Sequence, residues 1–513
     1  MTDSGGIKQA ILGVSGVVLI SKLLGFIREM VIAERFGTSL EYDIFLIAIA
    51  APIFFNVVIV RATNFLAVPF LSKKLAENES TRSGREIWNV VNSLMTSVLL
   101  VILFIILAAP YLVKMIGPDL HGEQLGKGIF YCRAISVLVF FGFAESLLRS
   151  ALNVKKFFVY PALGTIVLNI TAISTIYIFS GEMSVTAILL GLVAGYFLQV
   201  VFLLIKVSGI SVFEKFSFRL FGPEVRKVLS VGGVIIAVEL LVSTYFLIDR
   251  YFASGLQEGV VSALNYCSLL VMLPVSIIGF AIASVTFPYL SETANDQDNS
   301  RFRSMLHSAL TMALVIGLPC GLFYLIFPRD LTAAVFFRGA FDLHSLEITS
   351  KILITLAPYL VCLFVYTILI QACYSSGRQR AVFAVAVASI ILKIVLTWIF
   401  KNLLDYPGIG LATSAVQLFT VTVLVILLVH SGKMEEMKKL GLTVVKVILA
   451  SIPLIITGYF FARMPDFAEG MSLVSKMRVI PAGLISMTGF VIIGYLIGID
   501  IIREMIDRTF KRA

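Results

Sequence analysis

Three charged side chains fall close together in an otherwise apolar stretch: Lys22, Arg28 and Glu29 in SKLLGFIREMVIAERFG. A charge inside hydrocarbon costs several kcal/mol unless it meets a partner or water, so such a cluster marks a functional site by default. Successive residues on a helix point about 100° apart, so the adjacent Arg28 and Glu29 are each expected to need an environment of their own. Asp43, Arg61, Arg133, Glu145, Glu239, Asp249, Arg250 and Lys393 also stand in apolar runs. Of these, Asp43, Arg133, Asp249 and Arg250 lie near span ends and are expected to snorkel to the interface. Lys22, Arg28 and Arg61 against Glu29 leave the deep part of the first half net positive. That excess suits a phosphate or diphosphate, which accepts charge-assisted and often bidentate hydrogen bonds from a guanidinium.

Enzymatic constellations do not assemble from the remaining residues. His121, His307, His344 and His430 stand singly, with no HExxH spacing, and neither a GxxxxGK[ST] phosphate loop nor a nucleophile elbow is present. Cys132, Cys267, Cys320, Cys362 and Cys373 are scattered without a CxxC pair and read as small core residues. The chain is therefore expected not to be an enzyme, with no catalytic residue, metal ligand or cofactor. Any driving force must come from an ion gradient, the membrane potential or the gradient of the substrate itself.

The elements that position these charges are transmembrane helices. Hydrophobic residues make up 59% of the chain and charged ones 14%, against about 25% charged in soluble domains, and the mean hydropathy is +0.98. About fourteen apolar runs are each long enough to cross a ~30 Å hydrocarbon core, which makes the fold an all-α polytopic membrane protein. The net charge of +10 is spread over short loops, a topology signal that leaves no basis for nucleic-acid binding. Placing both termini in the cytoplasm puts about 24 Lys and Arg inside against about 10 outside, as the positive-inside rule requires. No small-residue cleavage pattern follows the first apolar stretch, so that span is expected to be retained.

The sequence also repeats. VPFLSKKLAEN at 68–78 is similar to FPYLSETANDQ at 287–297, TIVLNI at 165–170 to SIILKI at 389–394, and Gly191 with Gln199 recurs as Gly410 with Gln417, at offsets between 218 and 224. An even number of spans per half makes the repeats parallel, and such transporters place their site at the interface of the halves. The expected organisation is an N-lobe at 1–206, an amphipathic linker at 207–226, a C-lobe at 227–430, and two further spans with a cytoplasmic tail at 431–513. Glu239 and Lys393 fall at similar depths in spans 7 and 11, by ~1.5 Å per residue. They are expected to pair, with Lys393 acting as a tethered cation.

SKLLGFIREMVIAERFGTSLEYDIFLIA closely resembles the first-span signature of the MurJ/MviN lipid II flippases, within the multidrug/oligosaccharidyl-lipid/polysaccharide exporter superfamily. IDRYFASGL and ALNYCSLLVMLPVSIIGFAIASVTFPYLSE resemble that family's spans 7 and 8. The resemblance implies fourteen helices, with two parallel six-helix lobes forming a V and two helices appended at the C-terminal end. It implies alternating access that carries an undecaprenyl-diphosphate-linked peptidoglycan precursor, lipid II, across the bacterial inner membrane from the inner to the outer leaflet. Arg28 and Glu29 fall on the family's Arg-Asp pair, and Lys22 stands where an earlier arginine is usual. In span 2 the family's arginine is absent from Phe54, Phe55 and Asn56, leaving Asn56 and the displaced Arg61 as headgroup contacts, and Leu269 replaces a span-8 arginine. Those departures favour an alternative cargo, an exopolysaccharide or O-antigen repeat unit. A cation-coupled drug exporter or a non-transporting scaffold fits the cationic cluster less well. The implied partners are the lipid-linked glycan, membrane lipids and cell-wall or polysaccharide assembly enzymes.

Overall fold

The structure is a computed structural model and describes residues 4–76, 81–207, 223–293, 300–429, 434–462 and 479–510. The bilayer core offers no water to the backbone, so apolar runs of this length satisfy their N–H and C=O groups as helices. Among the described residues there is no strand. The chain forms two compact units, Met1–Ser262 and Ala263–Ala513.

The first unit contains α1 (Ser4–Phe36), α2 (Leu40–Ala76), α3 (Thr81–Ile116), α4 (Gly122–Ile135), α5 (Val137–Val154), α6 (Val159–Met183), α7 (Thr186–Val207) and α8 (Pro223–Ser254). A helix α9 (Val260–Pro274) starts at its end. The second unit continues through a π-helical turn at Val275–Gly279 into α10 (Phe280–Thr293), α11 (Ser300–Ile326), α12 (Pro328–Phe336), α13 (Leu343–Ser375), α14 (Gln379–Leu404) and α15 (Pro407–Val429). It closes with α16 (Met434–Ala450), α17 (Ile452–Ala462), α18 (Val479–Ile497) and α19 (Asp500–Phe510).

Twelve segments among the described residues are long and apolar enough to cross a membrane, where the sequence leads one to expect fourteen. The two long helices outside that set are α1 and α8, of 33 and 32 residues, and both carry the charges singled out above. Of the expected linker at 207–226, residues 208–222 lie outside the described residues. The repeat groups α8 with the second half, yet it packs on α2 and α3 and belongs to the first compact unit.

The most extensively packed helix pair among the described residues of the first unit is α6 with α7. Gly191 and Gly195 have the small-xxx-small spacing by which helices in lipid approach backbone to backbone. A Cβ at Gly195 would stand 2.8 Å from the carbonyl oxygen of Leu168, and one at Gly191 3.1 Å from that of Ala172. This contact fixes the height of Asn169 on α6 against Tyr196 on α7.

In the second unit α13 is the central helix, packed on α10, α11, α12 and α15. Its start is set by Asp342, whose carboxylate accepts from the Ser345 N–H at 2.8 Å and the Ser345 hydroxyl at 2.9 Å. Partial burial pushes this carboxyl up, but the hydrogen bonds from Ser345 outweigh it and hold the group below the usual aspartate range. The α14–α15 hairpin is tied by the Ser389 and Thr420 hydroxyls, 2.8 Å apart.

Replacing Gly195 by Ala should separate α6 from α7 and lower stability by roughly 1–3 kcal/mol, the cost of overpacking. Gly181, which has open space around its Cβ position, should accept Ala without loss. Thermal unfolding of the two purified variants checks the contrast.

Candidate functional site

The site is built on α1, which packs against α6. Arg28 folds back over its neighbour: Oε1 of Glu29 accepts from Nη2 at 2.6 Å and from Nε at 3.2 Å. Nη1 donates to Oδ1 of Asn169 on α6 at 3.2 Å, and Asn169 Nδ2 donates to the Ser21 carbonyl at 3.3 Å. The expectation that adjacent residues could not pair fails here, because the long arginine side chain curls the guanidinium over the carboxylate despite the divergent Cα–Cβ vectors. Asn169 escaped the sequence reading even though it lies in the repeated TIVLNI. The available signal was a single amide in an apolar span, which has to find a partner there.

A second pair joins α2 to α8. Arg61 Nε lies 3.8 Å from Oε2 of Glu239, with the two side chains 60% and 37% exposed. Glu239 was expected to pair with Lys393; its ion pair here is with Arg61, and Lys393 is wholly buried in the second unit, donating to the Thr413 hydroxyl. The Thr413 hydroxyl in turn donates to the Ile409 carbonyl at 3.0 Å. Lys22 is exposed on α1. Asn56 lies so close to Gly142 that a Cβ there would displace its side chain, and its Oδ1 has no hydrogen-bond partner among the described residues. That contact brings α2 and α5 together, as do Ser146 and Ser150, which donate to Oδ1 of Asn64 at 2.8 and 3.3 Å.

A third pair went unnoticed in the sequence. Arg149 lies within α5 and donates from Nε to Oε1 of the buried Glu145 at 2.7 Å, with Nη2 on the same oxygen. The spacing is i to i+4, the helical distance at which such side chains meet. Tyr196 on α7 lies within electrostatic reach of Arg28, Glu145 and Arg149.

Asp43 does not snorkel. It is 5% exposed and serves the start of α9: Oδ2 accepts from the Gly259 N–H at 2.7 Å, and Oδ1 from the Ser262 N–H at 2.7 Å and the Ser262 hydroxyl. Glu258 returns the contact by accepting from the Leu40 N–H, at the start of α2, at 2.7 Å. Each carboxylate thus satisfies orphan donors at the other helix's N-terminus. Gly259 adopts φ +90°, and Thr38 atoms stand 2.8 Å from its Cβ position, so only glycine fits. Arg250 is likewise held inward, donating to the Leu46 carbonyl and lying 5.3 Å from the centre of the Phe246 ring. Arg133 donates to the Ile106 carbonyl at 3.1 Å.

Chemically, the first unit therefore offers arginines whose forks rest on carboxylates. A phosphate oxygen is the same kind of acceptor as those carboxylate oxygens for a guanidinium N–H. Among the described residues no three His, Cys, Asp or Glu side chains converge as a metal site would require.

Removing Asp43 should strand two buried N–H donors, at about 1–3 kcal/mol each. Asp43→Ala is expected to melt well below the parent, with Asp43→Asn, which keeps an acceptor oxygen, in between. Equal melting of all three would contradict the reciprocal cap.

Residues 32–477 match the family model described as lipid II flippase MurJ. A lipid II flippase MurJ of Burkholderia cenocepacia is 25% identical over 418 residues, covering 79% of this chain and 80% of the relative. A probable lipid II flippase MurJ of Rhizobium tropici is 24% identical and covers 97% and 96%. Among solved structures, a lipid II flippase MurJ in an inward closed conformation superposes with a TM-score of 0.79 at 21% identity, covering 96% of this chain and all of that one. An inward-facing multidrug transporter of the MATE family reaches 0.63 at 14% identity, over 84% and 98%.

Proposed function

This chain belongs to the lipid II flippase MurJ family, and from that premise we propose that it moves lipid II from the inner to the outer leaflet of the bacterial inner membrane by alternating access. All fourteen long helices cross the bilayer in this reading, α1 and α8 included, and both termini are cytoplasmic. The observation that carries the reading is the Arg28–Glu29–Asn169 arrangement. Arg28 and Glu29 lie just ahead of the matched residues 32–477, so their role rests on geometry: a guanidinium held in position, deep in a lipid-spanning helix, by groups that a diphosphate can replace. Charge-assisted hydrogen bonds of this kind contribute roughly 1.5–3 kcal/mol each. Glu29 keeps Arg28 neutralised while no cargo is present, and Asn169 keeps its fork oriented.

With no phosphate loop in the chain, coupling is assigned to the membrane potential or an ion gradient. The buried Lys393 is the charge best placed to respond, since moving one elementary charge across 100 mV is worth about 2.3 kcal/mol.

Complementation of a strain depleted of its own lipid II flippase tests the proposal. The parent chain should restore growth, and failure to do so at normal membrane abundance would overturn the choice of cargo. Arg28→Ala should abolish rescue without loss of expression. Arg28→Lys should retain part of it, because charge survives but the fork does not. Arg61→Ala should also be partial, its guanidinium being more exposed and more loosely paired.

A further inference from the structure

The turn between α5 and α6 carries charge that the flipping reading does not use. Lys155 caps α5, and the chain leaves the helix through two hydrogen bonds of 2.9 Å, Lys156 N–H to the Asn153 carbonyl and Phe157 N–H to the Leu152 carbonyl. This is the paired pattern of a Schellman ending, in which the residue just past the cap takes a left-handed backbone and is ordinarily glycine. Here that residue is Lys156, at φ +63°. A β-carbon is strained there, and a side chain kept against the preference of the backbone points to a use for the side chain itself.

Its surroundings are cationic and aromatic. Lys155 and Lys156 are exposed, as is Lys206 at the end of α7. The Lys206 ammonium lies 5.4 Å from the centre of the Tyr160 ring, and Tyr160 meets Phe157 of the turn edge to face, with ring centres 5.8 Å apart. Leu152, Leu203 and Val207 form one apolar cluster with Tyr160 against it, which fixes the end of α7 beside the turn. Three ammonium groups therefore share one rim with Phe157 and Phe158, whose rings are half exposed. Among the described residues none of the three lysines has a carboxylate partner. The sequence supplies none nearby: no Asp or Glu stands between Glu145 and Glu182, and α7 has none. The arginines described above each rest on a carboxylate, whereas this rim keeps its full positive charge.

The turn joins two membrane-length segments, Gly122–Val154 and Val159–Met183, and Lys206 lies at the end of a third, Thr186–Val207. The rim is thus at the membrane surface, where lysines meet headgroup phosphates and aromatic rings enter the acyl boundary. We propose that the α5–α6 turn and the end of α7 form a docking site for an anionic phospholipid. Lys155, Lys156 and Lys206 face its headgroup, and Phe157 and Phe158 its acyl chains. An ammonium is a point charge without the fork of arginine, so the site selects net headgroup charge over any fixed array of oxygens. The site goes beyond the cargo reading and does not involve Arg28.

The test titrates the purified full-length chain in detergent with phosphatidylglycerol and with phosphatidylcholine of the same acyl chains, and reads the ratio of the two dissociation constants. The parent should prefer phosphatidylglycerol, and added salt should shrink the preference. Each lysine removed should reduce it about fivefold, the effect of one basic residue at an anionic surface. Lys156→Gly separates binding from folding: glycine suits the left-handed position, so this variant should melt at or above the parent and still lose its share of the preference. Lys156→Arg should keep that share. Lys127→Gln removes an exposed charge from the opposite end of the Gly122–Val154 segment and should leave the ratio unchanged. Equal binding of both lipids by the parent, or an unchanged ratio in Lys156→Gly, would overturn the proposal. A loss of the same size in Lys127→Gln would overturn it too, by reducing the effect to net charge. Inorganic phosphate should fail to displace the lipid, and displacement at matched concentration would leave a bare phosphate site in its place. If undecaprenyl diphosphate binding fell in Lys156→Gly while phosphatidylglycerol binding held, the rim would belong to the cargo and the phospholipid assignment would fall.

Discussion

A guanidinium has to be neutralised locally wherever the bilayer withholds water, and the first unit is arranged around that constraint. Arg28 rests on Glu29, Arg61 faces Glu239, and Arg149 rests on Glu145. Leaving the half-buried Arg28 unpaired would cost more than most single contacts contribute, whereas the more exposed Arg61 has less to lose. Pairing within the chain lowers the cost of carrying these charges in an apolar helix. The helix packing serves this arrangement: the glycines of α7 let it approach α6 closely enough to set Asn169 beside Arg28.

The same demand appears at helix ends, where four N–H groups have no partner in the helix. Asp43 and Glu258 answer it by reaching across to each other's neighbouring helix start, and Gly259 supplies a backbone turn that no residue with a Cβ could make against Thr38. Asp342 does so for α13 within its own segment. In the second unit Lys393 is the converse case, a donor buried in α14 that finds the Thr413 hydroxyl on the facing helix. At these positions the carboxylates and the Thr413 hydroxyl are structural acceptors.

The all-helical, membrane-spanning character was legible from hydropathy alone, because apolar length dictates helices in lipid regardless of detail. That Arg28 would need polar partners was legible as well, since a charge in an apolar run has to find them. What could not be read was which acceptor each charge would choose. Hydropathy places Arg149 at a span end, and only the continuation of α5 to Val154 puts it inside a helix beside Glu145. Depth arguments matched Glu239 with Lys393, but height along a helix says nothing about the direction a side chain takes around it, and Arg61 on the neighbouring α2 faces Glu239. Asp43 looked like an interfacial residue because the cap it makes lies more than two hundred positions away, beyond any local pattern.

The central claim is that these paired arginines serve a transported lipid diphosphate. The most direct test is the rate at which labelled lipid II crosses the bilayer of vesicles reconstituted with the purified chain, with a membrane potential imposed. The account predicts transfer well above that of protein-free vesicles, and competition by unlabelled lipid II. Transfer no faster than in protein-free vesicles, with the chain folded and inserted, would contradict it.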